Sequence, residues 1–288
     1  MSPTSITAGM HLPQAGPAAS GDSITQVAQL AEELGFADIW VSDHLVIPSN
    51  AKYPPSAYIY EPLAVMAWVA AKTSKIRIGT TVLVLPLRNP IVVAKSLASI
   101  DQLSEGRIIL GTAAGWLKEE FDALGVPFEE RGKRTDEALE IIRCLWNEDN
   151  ISASFPVHEA EFVQMRAKPQ PVGNIPIWIG GHADVALRRA CRVGDGWHGA
   201  FLSPQETSTA IKKIRSYRDE DAFTISMRTS WDPLEDNRET ILSELEEYIR
   251  AGVSHFVPEP RQRTIDNYLR SVEKMASLLF EFGIEPSV

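Results

Sequence analysis

Residues 75–116 read KIRIGTTVLVLPLRNPIVVAKSLASIDQLSEGRIILGTAAGW, two apolar runs flanking a helical one, with small residues gathered where the apolar runs end. Ile76 to Leu85 is nearly all apolar and β-branched, the composition of a strand covered on both faces, and such strands belong to parallel sheets. Pro86 stops it. Asn89 is placed to cap a helix whose first residue is Pro90, with Val93, Leu97 and Ile100 on one face. Ser104-Glu105-Gly106 ends that helix, and Arg107 to Leu110 enters the next strand. The run Gly111-Thr112-Ala113-Ala114-Gly115 carries no bulk, so a phosphate or ring could approach its backbone, although small residues also serve a tight turn.

The same alternation extends in both directions. Ile6 to Leu12 reads as a first strand, followed by a helix capped at Asp22 or Ser23 and stopped by Gly35. Ala37 to Val41 is a second strand, and a long loop, 42–58, leads to a helix over 61–72. Beyond residue 116, helices are expected at 117–124 and 135–147. Residues 151–166 alternate without a helical period and read as a hairpin inserted before the fifth strand, Ile175 to Ile179. Helices at 183–192, 204–217, 238–251 and 264–282 alternate with strands at 196–200, 222–227 and 254–257. About eight strand and helix pairs, with no Gly-, Ser- or Pro-rich linker, predict one α/β domain over residues 1–288, a closed (β/α)8 TIM barrel; the alternative is a doubly wound open sheet.

Composition narrows the setting. The chain has 288 residues, 44% hydrophobic and 23% charged, and a formal net charge of −10. That charge opposes a general attraction to nucleic acid or to an anionic membrane. No apolar run approaches the roughly twenty residues of a membrane span and the N-terminal stretch has no targeting pattern, so a soluble, cytoplasmic protein is expected. Cys144 and Cys191 fall in separate helices and read as buried free thiols. The six histidines show no metal-ligand spacing. Gly194 to Gly199 has the spacing of a dinucleotide fingerprint in the wrong context, leaving a helix to enter a strand.

A barrel gathers its ligand groups just after the strands, and polar or small residues do stand there: Ser42-Asp43-His44, Thr80-Thr81, Ala114-Gly115, Gly180-Gly181-His182 and Trp197-His198-Gly199. At this point the segments GFADIWVSDH, the opening stretch, FEERGKRTDEALEIIRCLW and IPIWIGGHADVALRRACRVGDGWHG resemble the luciferase-like flavin monooxygenase superfamily. The likeness is strongest to its small, actinobacterial-type members that use the deazaflavin coenzyme F420. It covers roughly residues 5–260.

The resemblance implies an oxidoreductase and assigns residues. His44 is the expected catalytic group, since a histidine can pass a proton while hydride moves to or from a ring carbon. Asp43 would meet the ring or orient His44. Thr81-Val82 matches a non-proline cis peptide behind the ring, while Ala114, Gly115, Trp116, Gly180, Gly181 and His182 match segments that hold the cofactor's chain and phosphate. F420 is the expected cofactor, with FMN and oxygen as the alternative, or a non-catalytic flavin or deazaflavin carrier. A homodimer is implied. Trp116 stands where the sugar-phosphate branch has an acidic residue, and no lysine follows strand six, which disfavours glucose 6-phosphate. Trp40, Trp116, Trp197, Tyr53, Tyr58 and Tyr60 suggest an apolar or aromatic substrate pocket. Arg131, Lys133 and Arg134 form a basic cluster that could meet a polyglutamate tail or pair with Glu129, Glu130, Asp136 and Glu137.

Overall fold

The computed structural model describes residues 6–54, 56–218, 220, 222–284 and 286–287. Residues 1–5, part of the N-terminal stretch read above, lie outside the described residues. The barrel begins with β1 (Thr7–Ala8) and β2 (Met10–His11), two pieces of one strand broken at Gly9. It continues through β3 (Asp38–Val41), β4 (Arg77–Thr80), β5 (Leu83–Val84) and β6 (Ile108–Ala113). A hairpin of β7 (Ile151–Phe155) and β8 (Ala160–Met165) intervenes, antiparallel as expected, before β9 (Ile177–Gly180). The strands β10 (Gly196–Ala200), β11 (Thr224–Thr229) and β12 (His255–Pro258) complete the set.

Neighbours along the barrel are parallel, in the order β2, β3, β4, β6, β9, β10, β11, β12, β1. Because β1 and β2 are one strand, that order closes on itself. The eight-stranded (β/α)8 expectation therefore holds, and the open sheet is excluded.

Helices α1 (Gly21–Glu33), α2 (Pro62–Ala70), α3 (Pro90–Leu103), α4 (Lys118–Ala123) and α5 (Arg131–Asn147) accompany the first half. The second half carries α6 (Asp184–Val193), α7 (Pro204–Tyr217), α8 (Arg238–Ala251) and α9 (Ile265–Phe282). Asn89 caps α3 through the amides of Ile91 and Val92, with Pro90 in the first turn, as read from the sequence. The cap of α1 differs: Ser20, not Asp22 or Ser23, accepts the Ser23 amide at 3.0 Å, so the helix starts a residue or two earlier. Helix α5 also starts earlier than expected, at Arg131, following a 3-10 turn at Phe128–Glu130.

Apolar residues fill two layers. Ile39, Ile78, Leu110, Ile177 and Ile225 pack outward against the helices, while Trp40, Ile109, Trp178 and Val257 fill the barrel itself. Trp40 stacks on Trp178 and on His198, each at 5.1 Å between ring centroids. Two glycines make this filling possible. A Cβ at Gly79 would lie 2.5 Å from the Trp40 ring, and one at Gly111 would lie 1.8 Å from the Thr80 carbonyl oxygen. Part of the small-residue run after Leu110 is therefore strand, narrowed by a neighbouring backbone rather than by a ligand. Trp40 and Trp197, expected among the pocket aromatics, are wholly buried core residues. Cys144 and Cys191 are free but only half buried, not fully buried as expected.

Candidate active site

The carboxyl ends of the strands bring the expected segments to one face of the barrel. Between β4 and β5 the Thr81–Val82 peptide bond is cis. It is held from both sides: Arg228 Nη1 donates to the Thr81 carbonyl at 2.8 Å, and the Thr81 hydroxyl meets His198 Nε2 at 2.8 Å. Beside Val82 the neighbouring strands β6 and β9 end in small residues, Ala113 and Gly180. A Cβ placed on Gly180 would stand 3.0 Å from Val82 Cγ1 and 3.3 Å from Ala113 Cβ, so the floor there is flat because β9 ends in glycine. Gly115 at φ +80° turns the chain away after β6, its backbone closing on Val84 and Phe121. Gly181 and His182 are exposed just before α6, and Trp197 Nε1 pins the Gly181 carbonyl at 2.7 Å.

His44 is oriented by a residue that sequence reasoning passed over. Glu120, buried on α4, accepts the amides of Leu45 and Val46 and faces His44 Nδ1 at 3.2 Å. Burial would raise the Glu120 pKa, but the His44 ring and the two amides outweigh it and hold the carboxyl below its ordinary value. An anionic acceptor at Nδ1 places the ring proton there and leaves Nε2 as the free, basic nitrogen. This is the arrangement of a histidine prepared for proton transfer. The only signal in the sequence was an acidic pair in the first turn of a short helix, which ordinarily means favourable helix-dipole placement.

Asp43 is engaged with Arg88 and the backbone of β5. Its carboxylate takes Arg88 Nη2 at 2.6 Å, Arg88 Nε at 3.0 Å and the Val84 amide at 2.9 Å, and it does not orient His44. Burial pushes its pKa up against the pull of Arg88. Arg88 also pairs with Glu61 at 2.7 Å. The network ties the loop after β3 to β5, so Asp43 fixes the position of the segment that carries Val82.

Two further groups were missed. Arg228, at the end of β11, pairs with Glu259, just past β12, at 2.8 Å and lies 5.0 Å from the Phe201 ring. Charged residues at the ends of apolar strands were their only sequence signal. Burial of His11 lowers its pKa to about 4, an effect Arg228 reinforces, and its Nε2 meets Ser42 Oγ at 2.9 Å. Beside His44 stand Trp116 and Tyr53, both exposed, with ring centroids 6.1 Å apart; Trp116 meets the His44 ring edge-on at 6.0 Å. Tyr58 and Tyr60 share a hydroxyl contact of 3.0 Å.

The basic cluster does not pair with its neighbouring carboxylates. Arg131 lies 4.0 Å over the Phe128 ring, and Arg134 donates to the Val157 carbonyl in the hairpin. Asp136 instead pairs with Arg189 and Arg192, and Glu137 holds His158. Gly194 to Gly199 is the tight entry into β10 that its context implied. Among the described residues no group of three or more His, Cys, Asp or Glu could hold a metal ion, and no helix is long and apolar enough to cross a membrane.

A barrel with its polar groups gathered at the carboxyl face defines an α/β-barrel enzyme. The profile of the luciferase-like monooxygenase family matches residues 1–283, and the chain belongs to that family of oxidoreductases. An uncharacterised protein of Mycobacterium tuberculosis (strain ATCC 25618 / H37Rv) is 34% identical over 206 residues, covering 67% of this chain and 70% of its own. The F420-dependent glucose-6-phosphate dehydrogenase of Amycolatopsis mediterranei (strain U-32) is 35% identical over 179 residues, 60% of this chain and 52% of that one. Among solved structures, an F420-dependent secondary alcohol dehydrogenase superposes with a TM-score of 0.81 at 18% identity, covering 96% of this chain and 99% of the other. The oxygenating constituent of a 3,6-diketocamphane monooxygenase of Pseudomonas putida, in complex with FMN, gives 0.73 at 15%, covering 96% and 97%. At those identities the structural likeness is one of fold.

Proposed function

We propose that this protein is an F420-dependent oxidoreductase that moves hydride between the deazaflavin and a small organic, apolar or aromatic substrate, with His44 as the proton-handling residue. The observation that carries the reading is the Glu120-oriented His44 on the same barrel face as the flat floor around Val82. The residues fit a planar ring: Gly180 and Ala113 keep the surface beside Val82 low, and a Cβ at Gly180 would press on Val82 Cγ1 at 3.0 Å. When bound, the cofactor supplies a ring carbon that accepts or releases hydride. Thr81 and Val82 would border the ring, with Asp43 acting indirectly through Val84. Ala114, Gly115, Trp116, Gly180, Gly181 and His182 would border its chain and phosphate, Gly180 also keeping the surface low beside the ring, and exposed amides ahead of α6 suit an anion.

His44 Nε2 would take or give the substrate proton, and Trp116 and Tyr53 would cover the apolar part of the substrate and exclude water. The relatives named for F420 dependence support this choice; the FMN-bound neighbour supports FMN as the alternative. A homodimer in the cytoplasm belongs to the same proposal, and light scattering of the purified protein checks the dimer. Parallel fluorescence titrations with F420 and FMN test the cofactor. Tighter binding of F420 is expected, and preferential binding of FMN refutes it.

A further inference from the structure

Beneath the site, five side chains form an unbroken line through the barrel. Thr81 Oγ1 stands 2.8 Å from His198 Nε2, and His198 Nδ1 stands 2.8 Å from Ser226 Oγ. Ser226 Oγ is 2.8 Å from His255 Nδ1, and His255 Nε2 is 2.8 Å from Asp38 Oδ1. All five residues are buried. At the amino end of the barrel Trp40 Nε1 and Arg77 Nη2 also donate to Asp38, at 2.6 and 2.8 Å. Gly9 leaves room for this anchor, since a Cβ there would fall 2.0 Å from Asp38 Oδ1.

A hydroxyl donates one hydrogen and a neutral imidazole donates from one nitrogen, so the line runs in a single direction from end to end. Asp38 sets that direction. Ion-paired to Arg77 and reached by His255 Nε2 and Trp40 Nε1, it is a carboxylate and only accepts. Arg77 already balances its charge, and a second positive charge on His255 would lie uncompensated in a dry interior. A neutral His255 that donates from Nε2 accepts the Ser226 hydroxyl at Nδ1. Ser226 Oγ then accepts from His198 Nδ1, and His198 Nε2 is left bare to accept the Thr81 hydroxyl. Burial lowers the His198 pKa to about 3, in keeping with a neutral ring.

We propose that this line fixes the polarity of Thr81: its hydroxyl hydrogen is committed to the barrel interior, so its oxygen meets a ligand only as an acceptor and selects a ring N–H over a ring carbonyl or bare ring nitrogen. Thr81 is the ligand contact; His198, Ser226, His255 and Asp38 are positioning residues that act through it. The ring contact rests on the cofactor reading above, whereas the direction of the line does not.

Nitrogen-15 NMR of histidine-labelled, cofactor-free protein near neutral pH reads the direction. His198 is expected to carry its proton on Nδ1, and His255 on Nε2. The reverse tautomer at His198, or a doubly protonated His255, overturns the proposal, because one added proton reverses every link. Fluorescence titration with F420 and with FMN reads the consequence. Thr81→Ser is expected to bind within about twofold of the parent, whereas Thr81→Val loses about tenfold, the size of one mismatched buried hydrogen bond. Ser226→Ala, which removes the link that fixes the His198 tautomer, is expected to lose between about threefold and tenfold. Wild-type affinity in Thr81→Val overturns the acceptor role even if the tautomers are as stated. If the parent binds neither cofactor, the proposed function and the ring contact fall, while the NMR result still decides the direction of the line.

Discussion

Replacing Glu120 separates its structural part from its part in orienting His44. In Glu120→Ala, the Leu45 and Val46 amides and His44 Nδ1 lose their shared acceptor. Hydrogen bonds to a charged group contribute about 1.5–3 kcal/mol each, and the exposure of Leu45 and Val46 lets water replace part of two of them. The expected loss is therefore roughly 3 kcal/mol. In Glu120→Gln the two amides meet Oε1, so they hold the oxygen of the new amide in place and turn its NH2 toward His44. The Ala and Gln variants then differ in kind: Gln costs about 1 kcal/mol but moves the His44 proton from Nδ1 to Nε2, removing the free basic nitrogen. Urea unfolding measures the first quantity and nitrogen-15 NMR of labelled histidine the second. Equal stability of the two variants, or an unchanged His44 tautomer in Glu120→Gln, refutes the reasoning.

Stability is expected to fall as pH drops from about 6.5 toward 4. The pKa of His11 is held at about 4 and that of His198 at about 3, both below the ordinary 6.5, so the unfolded chain takes up protons first and the stabilisation is complete only above 6.5. Each ring contributes a slope of about 1.4 kcal/mol per pH unit in that window. Urea midpoints that do not change between pH 7 and pH 4.5 count against the burial of these rings. Gly111→Ala is expected to cost at least about 3 kcal/mol, because its Cβ would overlap the Thr80 carbonyl, whereas Gly21→Ala, with open space around it, serves as a neutral control in the same unfolding assay.

The sequence by itself determined the barrel. Eight apolar runs of strand length, each followed by a helical period, leave the chain few ways to bury both faces of a parallel sheet, and capping residues such as Asn89 and Pro90 act within a few positions of each other. The same locality placed the inserted hairpin and put Asp43, His44, Thr81, Gly115 and Gly180 at the strand ends. Tertiary structure alone decided which side chains meet. Glu120 reaches His44 across 76 positions and Arg228 reaches the Thr81 carbonyl across 147. Asp43 was legible as a polar residue at the end of a strand, but its commitment to Arg88 was not. The line from Thr81 to Asp38 joins four strands, and no local pattern encodes it, because a hydrogen bond between distant residues depends on strand order, register and the inward or outward face of each strand together. Even the small residues of the opening stretch divide on this ground: Gly111 is small because a neighbouring backbone passes close, and Gly115 because the chain must turn.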